Sequence, residues 1–363
     1  MACFRVHTDR LRKGMIIKND VYARTGAVLV PVDTPVTKEV VDLLTRHFID
    51  YVMVDYQAAV SSPSPADIPS PESVPKIKKQ QIEEFRGSFQ IAETALSENL
   101  KDIVTKEKDL DVPVLLDMLN NIVEKSGNEV NLCNMLFKMK SNAEGLYTHS
   151  INVAIWGQIL AKWMDFRPKD IELVGITGLL HDIGLLTITD DAELPTGFTF
   201  HAELDGGKYG KHTIAGYNLL KEKNIDIKVK QAILTHHERQ DGSGFPLKVK
   251  LQNINSISRV IAIADTYDTL TMREPGVEVR SPFWILKHLE DTGYQKFDSN
   301  MLMTFISHIT NNFIRHNVRL SNDSVGQIVL INKYNLTRPL VQIGSSFIDL
   351  AVHKELTIKE ILD

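Results

Sequence analysis

The sequence predicts a mainly α-helical protein: a helical bundle with a small α/β domain ahead of it and a short β appendage behind it. Three observations carry this. From about residue 78 to 316, apolar residues recur three and four apart through long segments with few prolines, the period of one helical face. On either side the pattern turns to short β-branched runs, Val21 to Val32 and Tyr51 to Val54 before it, Val325 to Asn332 and Leu340 to Ile343 after it. Such runs read as strands. Between the first domain and the helices lies Ser61-Ser62-Pro63-Ser64-Pro65, with further prolines at 69, 71 and 75. That spacing sustains neither a helix nor a central strand, so it marks a linker.

Taken in order, residues 1–58 form the α/β domain. Gly26 breaks the first β-rich run into a hairpin, Thr37 to Phe48 has helical spacing at Val40, Val41, Leu43 and Leu44, and Tyr51-Val52-Met53-Val54 closes as a strand. Residues 59–77 are the Pro/Ser-rich linker and 78–124 are connecting or packing helices. Within the latter, Ile82 to Ile103 is charged and amphipathic; a packing or dimerisation helix and a connector with one buried stripe fit it equally. Residues 125–317 are the helical body and 318–363 the β appendage, where Phe347 to Leu350 adds a further strand folding back on the body.

A chain of 363 residues is too long for one compact core. Its 43% hydrophobic and 24% charged residues are ordinary globular composition. The net charge of −5 argues against a whole-protein grip on duplex nucleic acid. No basic aromatic patch, zinc knuckle or helix-turn-helix pattern contradicts that, and no P-loop is present. Cys3 and Cys133 form no CxxC spacing, so neither a thiolate zinc site nor a disulfide framework is implied. A reducing, cytoplasmic setting fits. The N-terminus lacks the apolar core of a signal peptide, and no run is read as approaching the ~18 apolar residues of a membrane span.

The chemistry lies in the helical body. His236 and His237 stand side by side, and neighbouring imidazoles on a helix point about 100° apart. They chelate one ion poorly but can each serve one of two close metals. His181-Asp182 ends the apolar run Val174 to Leu180, and Asp265 is embedded in Val260-Ile261-Ala262-Ile263-Ala264. A buried carboxylate without a cation costs several kcal/mol. His149 opens one apolar helix and His212 precedes another. A single histidine there is more often a cap or core residue than a ligand. Five histidines and two aspartates together are harder to dismiss. The donors are nitrogen and oxygen without sulfur, which suits iron, manganese or zinc better than calcium or magnesium.

The order His149, His181-Asp182, His212, His236-His237, Asp265 resembles the HD superfamily. His236-His237-Glu238-Arg239-Gln240-Asp241-Gly242-Ser243-Gly244-Phe245-Pro246 is similar to the signature of its HD-GYP branch, as are Tyr147-Thr148-His149-Ser150 and Asp265-Thr266-Tyr267-Asp268-Thr269-Leu270-Thr271. The resemblance covers about residues 125 to 315, and Leu11-Arg12-Lys13-Gly14-Met15 resembles the accessory domain that often precedes such modules. It implies an HD-type helical bundle holding a two- or three-metal centre, usually iron or manganese with zinc compatible. It also implies hydrolysis of the bacterial messenger cyclic di-GMP to pGpG or GMP, by a hydroxide shared between the ions. By resemblance His149, His181 and Asp265 complete one metal and His212, His236 and His237 the other. Asp182 bridges them, so His181-Asp182 is the catalytic pair. Lys211, Arg239 and Arg273 are the substrate-phosphate contacts this reading offers, Arg239 serving alternatively to pair a carboxylate. A cyclic dinucleotide is the implied partner, with a further signalling protein or a second copy of the chain also compatible.

The pattern departs from the family in four places. Leu185 stands where His-Asp-x-Gly-Lys has its lysine, and losing a phosphate-directed group costs roughly 10²–10³ in rate. Gly145 occupies the position of a third-metal glutamate, with Glu144 about 100° off, so two metals are expected. Arg273-Glu274-Pro275-Gly276 replaces Arg-Pro-Tyr-Arg. Phe245 replaces the motif tyrosine and keeps its aromatic face. The lost lysine keeps two other readings open: a degenerate scaffold or sensor that binds nucleotide with little turnover, and an HD phosphohydrolase of another nucleotide.

Overall fold

A computed structural model describes residues 4–8, 11, 15–18, 20–22, 28–46, 49, 51–56, 79–139, 145–189, 210–272 and 280–362. The expected linker, Gly26 and residues 12–14 lie outside them. The chain divides into two compact units, Met1–Ser70 and Pro71–Asp363.

In the first unit, strands β1 (Phe4–His7), β2 (Met15–Ile17) and β5 (Tyr51–Tyr56) form an antiparallel sheet in the order β1-β5-β2. Strands β3 (Val21–Tyr22) and β4 (Val28–Val30) pair separately, and α1 (Lys38–Arg46) completes the unit. Ile17, Val30, Leu44, Val52 and Val54 are its buried core.

The second unit is built on helices α2 (Lys79–Thr105), α3 (Val112–Ser126), α4 (Glu129–Met139), α5 (Leu146–Trp163), α6 (Pro168–Leu180) and α7 (Leu185–Ile188). They are followed by α8 (His212–Leu220), α9 (Ile227–Thr235), α10 (Ser256–Thr271), α11 (Pro282–Gly293) and α12 (Ser299–Asn312). Their starts are chemically marked. Asp111, Asp226, Asn255, Ser281 and Asp298 each accept a hydrogen bond from a backbone N–H of the following turn, satisfying donors a helix leaves open. Helix α2 buries one stripe, Phe85, Phe89, Ala92, Leu96, Leu100 and Ile103, against α3, α4 and α5. The buried-stripe reading of that segment is therefore satisfied within the chain.

Strands β6 (Asn317–Leu320), β7 (Val325–Asn332), β8 (Asn335–Ile343), β9 (Ser346–Asp349) and β10 (Ile358–Ile361) make an antiparallel sheet ordered β10-β6-β7-β8-β9. It folds back onto α11 and α12. Ser281 Oγ donates to the Ile358 carbonyl at 2.7 Å, and Val318, Leu320, Ile328 and Val341 join the same core as the helices.

Helix α5 and the second half of α6, Val174–Leu180, form the centre and are buried nearly all round. Gly178 permits this: a Cβ there would lie 2.4 Å from Ala154 Cα, so the two backbones touch. The stretch Pro168–Ile188, 21 residues containing an 18-residue window with a mean hydropathy of 1.6, is long and apolar enough to cross a membrane by length and composition. This corrects the expectation that no run approaches that length. That window is 67% buried inside the fold and carries His181-Asp182, and a segment packed on all sides, as Val174–Leu180 is, is apolar all round for that reason.

Gly178→Ala is expected to lower stability by about 1–3 kcal/mol, the range for overpacking. Gly87→Ala, in α2 with nothing within 4 Å of its added carbon, should gain up to about 1 kcal/mol. Thermal unfolding of the two variants checks this, and an unchanged Tm for Gly178→Ala would contradict the close approach.

Candidate metal centre

The candidate ligands sit where helices end or turn inward. His149 lies in the first turns of α5, His181-Asp182 directly follows α6, His212 opens α8, His236-His237 follows α9, and Asp265 faces inward from α10. All seven are buried. Two close approaches bring the segments together. A Cβ on Gly184 would lie 2.0 Å from the His212 carbonyl oxygen and 2.5 Å from Gly216 N, so the turn after Asp182 rests on the start of α8. A Cβ on Gly244 would lie 2.4 Å from the His237 carbonyl oxygen. Gly242 has φ +84°, the left-handed region that favours glycine. Both motif glycines thus have backbone roles.

The seven side chains form two groups, Asp182 with His212, His236 and His237, and His149 with His181 and Asp265; within each, one donor atom per residue lies within 4.8 Å of the others. Asp182 stands between them. Its Oδ1 is 3.1 Å from His212 Nε2 and 3.6 Å from His236 Nε2, while its Oδ2 is 3.3 Å from His181 Nε2 and 4.0 Å from His149 Nε2. Asp265 also spans the groups, with Oδ1 3.2 Å from His149 Nε2 and Oδ2 3.8 Å from His237 Nδ1. The rings are held from behind. His181 Nδ1 and His236 Nδ1 each lie 2.8 Å from a backbone carbonyl, of Gly178 and Ile233, and His149 Nδ1 lies 2.8 Å from Asp268 Oδ2. Each ring's Nε2 is thereby turned to the centre.

The groups do not share charge evenly. Burial pushes His149 down, but hydrogen bonding to Asp265 and Asp268 outweighs it and raises the imidazole to about 10. Burial likewise opposes charge on His181, and the Asp182 carboxylate overcomes it and raises the ring. Burial would raise Asp182; the charge of His181 and the close His212 and His236 rings hold it well below the usual carboxylate range. Burial, with crowding by other imidazoles, lowers His236 to about 4 and His237 well below its ordinary value. Protons therefore collect on the His149 and His181 side, and neutral rings face it.

His181 Nε2 and both Asp182 oxygens are fully buried and lack a hydrogen-bond partner of proper geometry. Buried polar atoms are seldom left so. With nitrogen and oxygen donors converging in two groups, they fit two divalent cations.

The residues expected to touch substrate fare differently. Lys211 is exposed at the N-terminus of α8, next to His212. Arg239 braces its own motif: a guanidinium nitrogen donates to the His236 and Glu238 carbonyls at 3.2 Å each, and the group lies 5.0 Å over the Phe297 ring. Arg273, Glu274-Pro275-Gly276 and Glu144 lie outside the described residues. Leu185 is fully buried in a small apolar cluster with Leu146, Tyr147, Leu186, Ile188 and Phe245. Phe245 stacks on His237 at 4.7 Å and 21°, so the aromatic face persists. Two residues were not assigned roles from the sequence. Buried Glu238 accepts hydrogen bonds from Leu247 N, Lys248 N and Val249 N at 2.6, 2.9 and 3.1 Å, pinning the loop that carries Phe245. Asp268 stands behind His149, and its signal was a second carboxylate three residues after Asp265 on one apolar helix.

Residues 146–270 match the HD domain family. The chain is 24% identical over 228 residues to a cyclic di-GMP phosphodiesterase of Pseudomonas aeruginosa, covering 62% of this chain and 54% of that one. It is 29% identical over 195 residues to a cyclic di-GMP phosphodiesterase of Borreliella burgdorferi, covering 53% and 50%. It is 31% identical over 134 residues to a 3'3'-cGAMP-specific phosphodiesterase of Vibrio cholerae, covering 36% and 30%. The chain spans about half the length of the first two.

A metal needs the Nε2 lone pair of His149, which is protonated up to about 10 without it. Binding must then expel a proton, so affinity rises with pH up to about that value and falls as pH drops. Calorimetric titration near neutral pH, in two buffers of different ionisation enthalpy, should show proton release; a heat independent of buffer would contradict it.

Proposed function

Because the chain belongs to the HD-GYP family of the HD superfamily, we propose that it hydrolyses cyclic di-GMP to pGpG or GMP as a metal-dependent phosphodiesterase of bacterial signalling. The observation that carries this is Asp182, one carboxylate whose two oxygens face two separate groups of imidazoles. Two divalent ions, iron or manganese with zinc compatible, would supply when bound a Lewis acid for a phosphate oxygen and an activated water for attack. His149, His181 and Asp265 would hold one, His212, His236 and His237 the other, with Asp182 shared. The protein's own part is positional. It buries the ligands away from bulk water, aims the His149, His181 and His236 rings from behind, and needs no nucleophilic side chain. Arg239 secures the backbone of the His-His pair, leaving Lys211 and Arg273 as the phosphate contacts of this reading.

Leu185 favours a second reading, a sensor that binds a cyclic dinucleotide with little turnover. The apolar cluster around it gives a phosphate no charge at that position. Full-length protein loaded with iron or manganese and offered cyclic di-GMP and 3'3'-cGAMP in competition separates the two. A linear product from cyclic di-GMP is expected, and Asp182→Asn should remove detectable turnover. Binding without hydrolysis, with both metals confirmed in place, would overturn the hydrolase.

Leu185→Lys should raise kcat per metal-loaded protein toward the roughly 10²–10³-fold that one phosphate-directed group supplies. It should also lower Tm, since an ammonium enters an apolar cluster. Unchanged kcat would mean that another group holds the phosphate.

A further inference from the structure

We infer that Asp268 is a positioning residue that acts through His149 on one of the two metal positions and not on the other. The inference rests on the binuclear reading above. Asp268 is fully buried on α10, one turn after Asp265, so both carboxylates project from one side of the helix. A buried carboxylate must find a partner, and Asp268 Oδ2 finds His149 Nδ1 at 2.8 Å, across 119 residues of chain.

That partner differs in kind from those of two neighbouring ligands. His181 and His236 lean on the neutral carbonyls of Gly178 and Ile233, each at 2.8 Å. A carboxylate behind an imidazole holds the Nδ1–H tautomer, fixes the ring plane and makes Nε2 a stronger donor. His149 Nε2 points at Asp265 Oδ1, 3.2 Å away. Asp265 and Asp268 thus grip the same ring from its two nitrogens. Helix α10 supplies both a candidate ligand and the support of the next ligand. A purely structural Asp268 would affect folding and so both metal positions alike; a positioning Asp268 weakens only the one framed by His149, His181 and Asp265.

Stepwise titration of the full-length protein with Mn²⁺, followed by calorimetry, distinguishes these. His149→Ala and His236→Ala identify which binding step belongs to which group. Asp268→Ala should weaken the step that His149→Ala weakens, by about 10–100-fold, the usual effect of losing such a partner. It should leave the step identified by His236→Ala unchanged. Asp268→Asn keeps the volume and an accepting oxygen, so it should weaken the same step by less, and it carries the test if the alanine variant does not fold. Equal loss at both steps, loss at the other step, or no change in either variant would overturn the inference while leaving the binuclear reading intact. A wild-type protein that takes up no Mn²⁺ would overturn both.

Discussion

Asp182 is a carboxylate buried where five imidazoles and a second carboxylate converge, and its charge organises the rest of the second unit. An ionised group in such a place is tolerated only when opposite charge or strong donors surround it. The His181 ring beside Asp182 supplies opposite charge, and the carboxylate in turn draws a proton toward that ring. Burial, with crowding by neighbouring imidazoles, lowers His236 and His237 and keeps them neutral. The result is a centre with two unlike halves, one proton-rich and one presenting lone pairs, joined through a single side chain.

Convergence of this kind needs backbones closer than ordinary side chains allow. Gly178 lets α6 lie against α5, Gly184 lets the turn after Asp182 rest on α8, and Gly244 lies against the backbone of His237. Each is placed beside a ligand-bearing segment. The same demand makes the second half of α6 apolar on every side, so that by length and composition the stretch around it passes for a membrane helix. Around the centre, Glu238, Arg239 and Asp268 spend their charges on the protein's own loops and rings. They convert a set of buried donors into a rigid one.

The centre and its wall make different demands. The donor set asks for cations, whereas the wall at Leu185 is apolar and continuous with Phe245, which stacks on His237. The candidate ligands and the apolar cluster beside them are thus different residues of one small region.

Helical periodicity, the flanking strands and the type and order of candidate ligands were legible in the sequence because they are local or chemical properties. An apolar period shows through a window of a few residues, and a buried Asp265 announces its cost without any partner in view. Long-range pairing was not legible. Arg239 carried two sequence readings, and its fit against Phe297 and two backbone carbonyls emerged only from packing. Leu185 read as a missing charge; the fold shows in addition what fills its place. Asp268 joins His149 across 119 residues, and the oxygens of Asp182 divide between rings on different helices. The sequence by itself determined which chemical groups this protein has to place, since those are fixed residue by residue. Only the tertiary structure decided which atom faces which, because hydrogen-bond geometry depends on how helices distant in the chain come to lie side by side.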